Sequence, residues 1–424
     1  MKGILQKFFP AANKIDRISA KLFSIFCLFL IIWLSFTPVI FYENCSTIII
    51  ISMLAVLLFS LSARKFNFNF PDLLVVLFLA ASFFSLFWVK NRQSAEFYFI
   101  GFILPGPILY FLFKNEFVLM KQKRQFFALF GFCALIVAIF GIIEFFAQKN
   151  LLYEKLVVNK FYYFFQFQGR AMSTQQVPHV LGVFLGALLP FFYNLIFAQK
   201  QKTARLIAVM MTLLIGAGIF VSFTRGVFLA VFVASLFYAY FKNQRMWRYI
   251  ILVFCALILS STLVSQFIPS SSFSAPFYRF SFNMLIDSSS RTKNWEKALL
   301  MAKDHPFVGV GVGQYRTYYD LYDSAKTQDY AKIADNMYLT ILAEGGIFAF
   351  LFFLLLIFIL LRGAWKYARL KKPDADLALA LSSGMIVILI SMVYFDALYW
   401  VVPLFMFWVY CGILASLTGK MRPS

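Results

Sequence analysis

The stretch LIAVMMTLLIGAGIFVSFTRGVFLAVFVASLFYAYF occupies residues 206–241 and carries a single charge, Arg225. As one helix its 36 residues would extend about 54 Å, nearly twice the ~30 Å of a bilayer's hydrocarbon core. One helix of that length would also leave an arginine at mid-bilayer, a costly position. The run Ser222-Phe223-Thr224-Arg225-Gly226 sits at the midpoint. The stretch therefore reads as a helical hairpin, two crossings of about 18 residues each with the arginine at the tip.

The same alternation of apolar runs and short basic loops fills the rest of the chain. Apolar residues make up 62% of the sequence, charged residues 13%, and mean hydropathy is +0.80. A soluble chain of 424 residues could not bury that much apolar surface, so the composition defines a polytopic membrane protein. Apolar runs at 23–43, 46–62, 71–89, 97–113, 126–147, 178–198, 206–223, 226–241, 249–268, 338–361, 377–397 and 400–417 predict an all-α integral membrane fold. That gives about 12 transmembrane helices in a single polytopic domain spanning 1–424. Two segments break the pattern of short loops, 148–177 and the longer, polar 269–337.

The net charge of +21 follows the topology and does not mark a nucleic-acid partner. With these crossings, 24 Lys and Arg fall on the side holding both termini and 15 on the other. Short loops carry most of the excess, so the positive-inside rule puts both termini in the cytoplasm and turns 148–177 and 269–337 outward. The first 22 residues are basic and lead into an apolar run without a small-residue cleavage site, as in an uncleaved start helix. Cys27, Cys45, Cys133, Cys255 and Cys411 show neither metal-ligand spacing nor a disulfide framework.

Segment 148–177 carries the aromatic run Phe161-Tyr162-Tyr163-Phe164-Phe165 ahead of Gly169-Arg170. It reads as an interfacial belt or as a ledge for a lipid-linked substrate. In 269–337, Ser290 is placed to cap a helix over 291–303 with Trp295, Ala298, Leu299 and Ala302 on one face, and Pro306 stops it. A second amphipathic helix is predicted near 315–325, aligning Tyr315, Tyr318, Tyr319 and Tyr322. The insert holds eight Lys and Arg against seven Asp and Glu, a balance suited to a lid over the outer mouth. Gly309-Val310-Gly311-Val312-Gly313 lacks the strand and helix that flank a phosphate loop, and reads as a flexible or tightly turned connector.

Arg170, Arg225 and Arg291 all map to the outer boundary. Guanidinium groups make bidentate, permanently charged contacts to phosphate oxygens, so three of them at one level suit a diphosphate. Snorkelling to headgroups would also explain Arg225. Glu144, Glu344 and Asp396 lie in or near apolar runs, and intramembrane acids are functional candidates. Asp396, at an outer helix end, needs no special role as a solvated carboxylate. Asp335 and Asn336 open the span after the insert, where Asp335 suits an N-cap, a general base, or both. Of the two histidines, His305 reads as structural, and His179 faces outward after Pro178.

In order along the chain stand Gly169-Arg170-Ala171, Pro178-His179, Thr224-Arg225-Gly226, Asp304-His305-Pro306-Phe307-Val308-Gly309-Val310-Gly311, Asp335-Asn336-Met337-Tyr338-Leu339 and Ala343-Glu344-Gly345-Gly346. Over about 169–350 this resembles the O-antigen ligase and polymerase superfamily of bacterial membrane glycosyltransferases. The ligases commonly carry His-Asn-x-x-Leu where this chain has Asp335-Asn336-Met337-Tyr338-Leu339, and often Asn where His179 stands. The resemblance implies the bacterial inner membrane, a periplasmic 269–337 covering the active site, and a multi-pass enzyme with no cofactor and no metal. It implies an undecaprenyl-diphosphate-linked glycan as donor and a glycan acceptor such as lipid A–core or O-antigen, with membrane lipids around it. Arg170, Arg225 and Arg291 would bind the diphosphate. Asp335, with Glu344 as second choice, would act as base, and His179 and Asn336 would stand nearby. The insert's tyrosines would contact sugars. Direct displacement would invert the anomeric carbon. A protein O-oligosaccharyltransferase of the same superfamily, or a flippase or transporter of lipid-linked glycans, are the alternatives.

Overall fold

The computed structural model describes residues 10–40, 53–54, 67–117, 120, 123–149, 169–175, 177–267, 289–323, 332–370 and 374–419. Among them the secondary structure is entirely helical. The first six helices are α1 (Pro10–Ile40), α2 (Phe70–Phe84), α3 (Arg92–Tyr98), α4 (Pro105–Glu116), α5 (Lys123–Ala147) and α6 (Pro178–Ala198). The hairpin and its neighbour are α7 (Lys202–Val221), α8 (Arg225–Lys242) and α9 (Met246–Phe267). The insert supplies α10 (Ser289–Asp304) and the short α11 (Tyr315–Tyr318), and the chain closes with α12 (Met337–Arg369), α13 (Ala375–Ser391) and α14 (Val401–Gly419).

Eight stretches are long and apolar enough to cross a membrane, and three shorter apolar helices accompany them, Lys21–Phe36, Met246–Ser260 and Ala375–Ser391. Apart from Met53 and Leu54, the run at 46–62 lies outside the described residues, as do the aromatic run 161–167 and Cys45. The run predicted at 97–113 belongs to a longer helical stretch, Arg92–Glu116, in which a π-helical turn at Phe99–Ile103 joins α3 to α4. The two predicted crossings form, with 222–224 as the turn between them and α6 packed against both.

Helix α14 is the axis of the bundle. It is apolar on every side, as a fully enclosed helix must be. Its apolar window is 89% buried, against 28% for α7. It packs on α4, α12 and α13, while α6 joins α7 to α13 and α8 lies on α13. Helix α9 sits outside, packed chiefly on α8, with Tyr249, Leu252 and Leu259 exposed.

The two ends of the bundle differ in chemistry. At one end Lys242 Nζ meets Asp376 Oδ1 at 2.5 Å and Lys123 Nζ meets Asp374 Oδ2 at 3.5 Å, tying the loops before α5, after α8 and before α13. Also remote from Arg225, α2 and α4 share a buried ion pair, Lys114 with Asp72, and Tyr110 donates to the same carboxylate at 2.9 Å. The opposite end gathers 85–91, 169–175, 222–224, 305–314 and 392–400.

Candidate functional site

The hairpin turn is fixed from outside. Arg170 donates through Nε to the Ser222 carbonyl at 3.0 Å and through Nη2 to Thr224 Oγ1 at 2.8 Å, and the Ala171 amide donates to the Val221 carbonyl at 2.9 Å. Glu144, near the end of α5, accepts the amides of Met172 at 3.0 Å and Ser173 at 2.5 Å. The 169–175 segment is thereby strapped across the tip, and the turn holds Phe223 at φ +45° with its ring buried. Arg225 follows as the first residue of α8.

A break in α12 organises the insert. Gly346 has φ +71°, which interrupts the helical hydrogen bonds two turns in and frees carbonyls that need donors. The 305–314 segment supplies them: the Val310 amide donates to Ala343 at 2.8 Å, the Gly311 amide to Glu344 at 3.0 Å, and Ile347 donates back to Pro306 at 2.8 Å. Glu344 itself is buried. Its Oε2 accepts the Gly313 amide at 2.9 Å and the Tyr399 hydroxyl, and its Oε1 accepts the Tyr315 amide at 2.9 Å. The glycine run is thus a tightly turned plug, with positive φ at Gly309, Gly311 and Gly313.

At the start of α12, Asn336 caps the helix, accepting the amides of Tyr338 at 3.1 Å and Leu339 at 3.2 Å. The cap is therefore Asn336, and the Asp335 carboxylate points elsewhere: Arg291 Nε lies 3.9 Å from its Oδ2. Asp335 is held at φ +53°, with its amide donating to Asp396 Oδ2 at 3.3 Å. Thr340 Oγ1 donates to the other oxygen of Asp396 at 2.5 Å.

Asp396 is not the solvated end-of-helix acid the sequence suggests. Helix α13 stops at Ser391, and Asp396 lies in the connection to α14 with 7% exposure. Burial pushes its carboxyl up to about 7, with the Thr340 hydrogen bond opposing and the neighbouring Asp335 charge adding to the shift. The same 392–400 connection sends Phe395 and Trp400 against His179, at ring-centroid distances of 4.7 and 5.6 Å, and Tyr399 to Glu344. The sequence signal for this loop is an acid flanked by Tyr394, Phe395, Tyr399 and Trp400.

A cavity of about 450 Å³ opens beside Arg291, and Asp335 reaches it only through that arginine, since it is not itself a lining residue. Arg225, Arg291, Gly226 and Tyr394 line one part of it, and the rest is apolar wall from α7, α8 and α9, including Phe220, Phe228, Phe232 and Phe254. Two guanidinium groups thus stand on a greasy groove.

Of the three predicted arginines, Arg225 and Arg291 share this cavity. Arg170 is not among its lining residues, because its guanidinium holds the hairpin turn. Glu344 is likewise engaged by three donors on the far side of the α12 break. The insert's helices form at 289–304 and 315–321, the second ending in a 3-10 turn, but they pack differently from the expectation. Asn294, Lys297, Ala298 and Met301 make the buried face of α10, leaving Leu299 exposed. Tyr315, Tyr318 and Tyr319 are buried too, so they do not form a sugar-facing row. Tyr315 and Tyr319 hydroxyls donate to Asn294 at 2.8 and 3.0 Å, and Lys297 Nζ donates to Tyr319 at 2.7 Å. Among the described residues no three His, Cys, Asp or Glu side chains gather as a metal site.

Among the described residues an all-helical bundle with eight stretches long and apolar enough to cross a membrane defines a multi-pass membrane protein. Residues 209–354 match the family model for O-antigen ligase, and that match supports the O-antigen ligase and polymerase superfamily for this chain. The matched stretch contains the hairpin, Arg225, Arg291, the plug, Asp335 and the α12 break. No curated protein matches the chain.

Proposed function

We propose that this chain is a membrane glycosyltransferase of ligase or polymerase type, moving a glycan from an undecaprenyl diphosphate carrier to a sugar hydroxyl at the periplasmic face of the bacterial inner membrane. The observation that carries this reading is the cavity: Arg225 and Arg291 on a groove walled by Phe220, Phe228, Phe232 and Phe254. A polyprenyl diphosphate has that division of chemistry, a dianionic head on an apolar tail. Both termini are then cytoplasmic and the insert is periplasmic.

Arg225 and Arg291 hold the diphosphate and offset the charge that builds on its bridging oxygen as the glycosidic bond breaks, the electrostatic contribution that dominates such transfers. Asp335 accepts the proton of the attacking hydroxyl while that oxygen bonds to the anomeric carbon opposite the diphosphate, which inverts the carbon. Asp396 orients Asp335 by accepting its backbone amide, and Arg291 stands 3.9 Å from the Asp335 carboxylate. Arg170 sets the hairpin tip, and Glu344 seats the insert. The acceptor is lipid A–core or a growing O-antigen chain.

Reconstitution into liposomes with a carrier-linked glycan tests this. Arg225→Ala should abolish glycan transfer without changing lipid translocation. Loss of translocation with no transfer by the wild type would make the protein a transporter. A lipopolysaccharide gel from a deletion host separates the acceptors: bare core with long carrier-linked polymer means ligase, and core with one repeat unit means polymerase. An unchanged ladder points to protein glycosylation or another exported polysaccharide.

A further inference from the structure

The cavity contains one aromatic residue that is not phenylalanine. Phe220, Phe228, Phe232 and Phe254 form the ring lining on α7, α8 and α9, and Tyr394 stands where the two arginines are. Among the described residues nothing hydrogen-bonds the half-buried Tyr394 hydroxyl. Four of its neighbours in 392–400 are engaged elsewhere, Phe395 and Trp400 on His179, Asp396 on Thr340, Tyr399 on Glu344.

The ring is seated by design of the backbone. A Cβ at Gly226 would stand 2.7 Å from Tyr394 Cδ2 and 2.8 Å from Cγ, so only glycine at the second position of α8 admits it. The first amides of a helix have no acceptor within it and attract anions. Tyr394 is therefore packed on the N-terminus of an 18-residue helix whose first residue is Arg225.

We propose that Tyr394 is a donor-recognition residue, its hydroxyl donating to a phosphoryl oxygen of the lipid diphosphate held by Arg225 and Arg291. This rests on the reading of the cavity as the carrier site. Tyr394→Phe keeps the ring on Gly226 and removes only the O–H. A hydrogen bond to a charged acceptor is worth about tenfold or more in affinity.

The test is equilibrium binding to the purified full chain in nanodiscs, using undecaprenyl diphosphate, undecaprenol and inorganic diphosphate as probes. Y394F should weaken undecaprenyl diphosphate about tenfold, leave undecaprenol unchanged, and melt at the wild-type temperature. Inorganic diphosphate should compete with the lipid in the wild type and do so less well in Y394F. Y394F binding within twofold of wild type, while R225A loses binding, would overturn the tyrosine's role and leave the carrier site standing. Wild-type binding by both R225A and R291A would remove the carrier site and the tyrosine's role with it.

Discussion

Removing the Glu344 carboxylate should release the insert from the bundle. Glu344 is 3% exposed and serves three buried donors, the amides of Gly313 and Tyr315 and the Tyr399 hydroxyl. Each buried donor left without an acceptor costs about 1–3 kcal/mol. Glu344→Ala orphans all three, and water admitted by the vacated space restores part of the loss, so about 3 kcal/mol is a working floor. At 1.36 kcal/mol per factor of ten, that is roughly a hundredfold shift toward local opening. Glu344→Gln keeps one oxygen and turns an amino group toward a donor, costing about 1–3 kcal/mol, or roughly tenfold. Hydrogen exchange on the full chain in detergent reads this at the amides of 310–318. The expected order is wild type, then E344Q about tenfold faster, then E344A about a hundredfold faster, with helices distant from the plug unchanged. Exchange at Gly313 and Tyr315 unaltered in E344A would refute the anchoring role. E344Q with native exchange and no glycan transfer would instead make Glu344 the base.

Three further outcomes follow from the same packing. Gly346→Ala forces a side chain onto φ +71° and within 2.6 Å of the Val308 amide, so it should cost more than 2 kcal/mol and loosen 305–314, read by thermal melting and limited proteolysis. Asp396 has its carboxyl raised to about 7 in the fold, against an ordinary value near 4. Its neutral form is the one the fold prefers, so the associated stability is full below about pH 4 and is lost as pH rises through about 7, at most about 4 kcal/mol. Asp396→Asn should flatten that part of the melting-temperature profile between pH 5 and 8, and an unchanged profile would contradict the buried carboxylate. Lys114→Ala should destabilise by about 3–5 kcal/mol by stranding the buried Asp72, a loss that replacing both residues with apolar ones should largely reverse in a denaturation series.

Charge and hydropathy made the hairpin legible, because one arginine at the centre of 206–241 admits no other arrangement in a bilayer. They also set the alternation of basic loops, seen where Lys242 meets Asp376 and Lys123 meets Asp374. Asp335 and Arg291 stand out separately in the sequence, and their approach depends on α10 folding over α12. The partners of Glu344 are not legible in sequence because its donors lie far along the chain, at 313, 315 and 399. Helical periodicity placed Trp295 and Leu299 on an inner face of α10. It reports which side is apolar, not what covers it, and here the buried side is built on Lys297 with Tyr319 and Asp323. The same ambiguity affects α9, apolar on nearly every side yet largely exposed, since lipid and protein core demand the same residues. The 392–400 connection went unread because its acid sat at the end of an apolar run, where sequence cannot tell a solvated carboxylate from one enclosed by Thr340 and Asp335.

The proposed function requires a lipid diphosphate in the cavity between α8 and α9 with its head on Arg225 and Arg291. Photolabelling of the full chain in native-like bilayers with an undecaprenyl diphosphate carrying a photoreactive group near the diphosphate tests it most directly. Labelled peptides are expected from the start of α8, the start of α10 and the 392–400 connection, suppressed by unlabelled carrier and lost in a double R225A/R291A variant. Labelling confined to other helices, or unaffected by that variant, would contradict it.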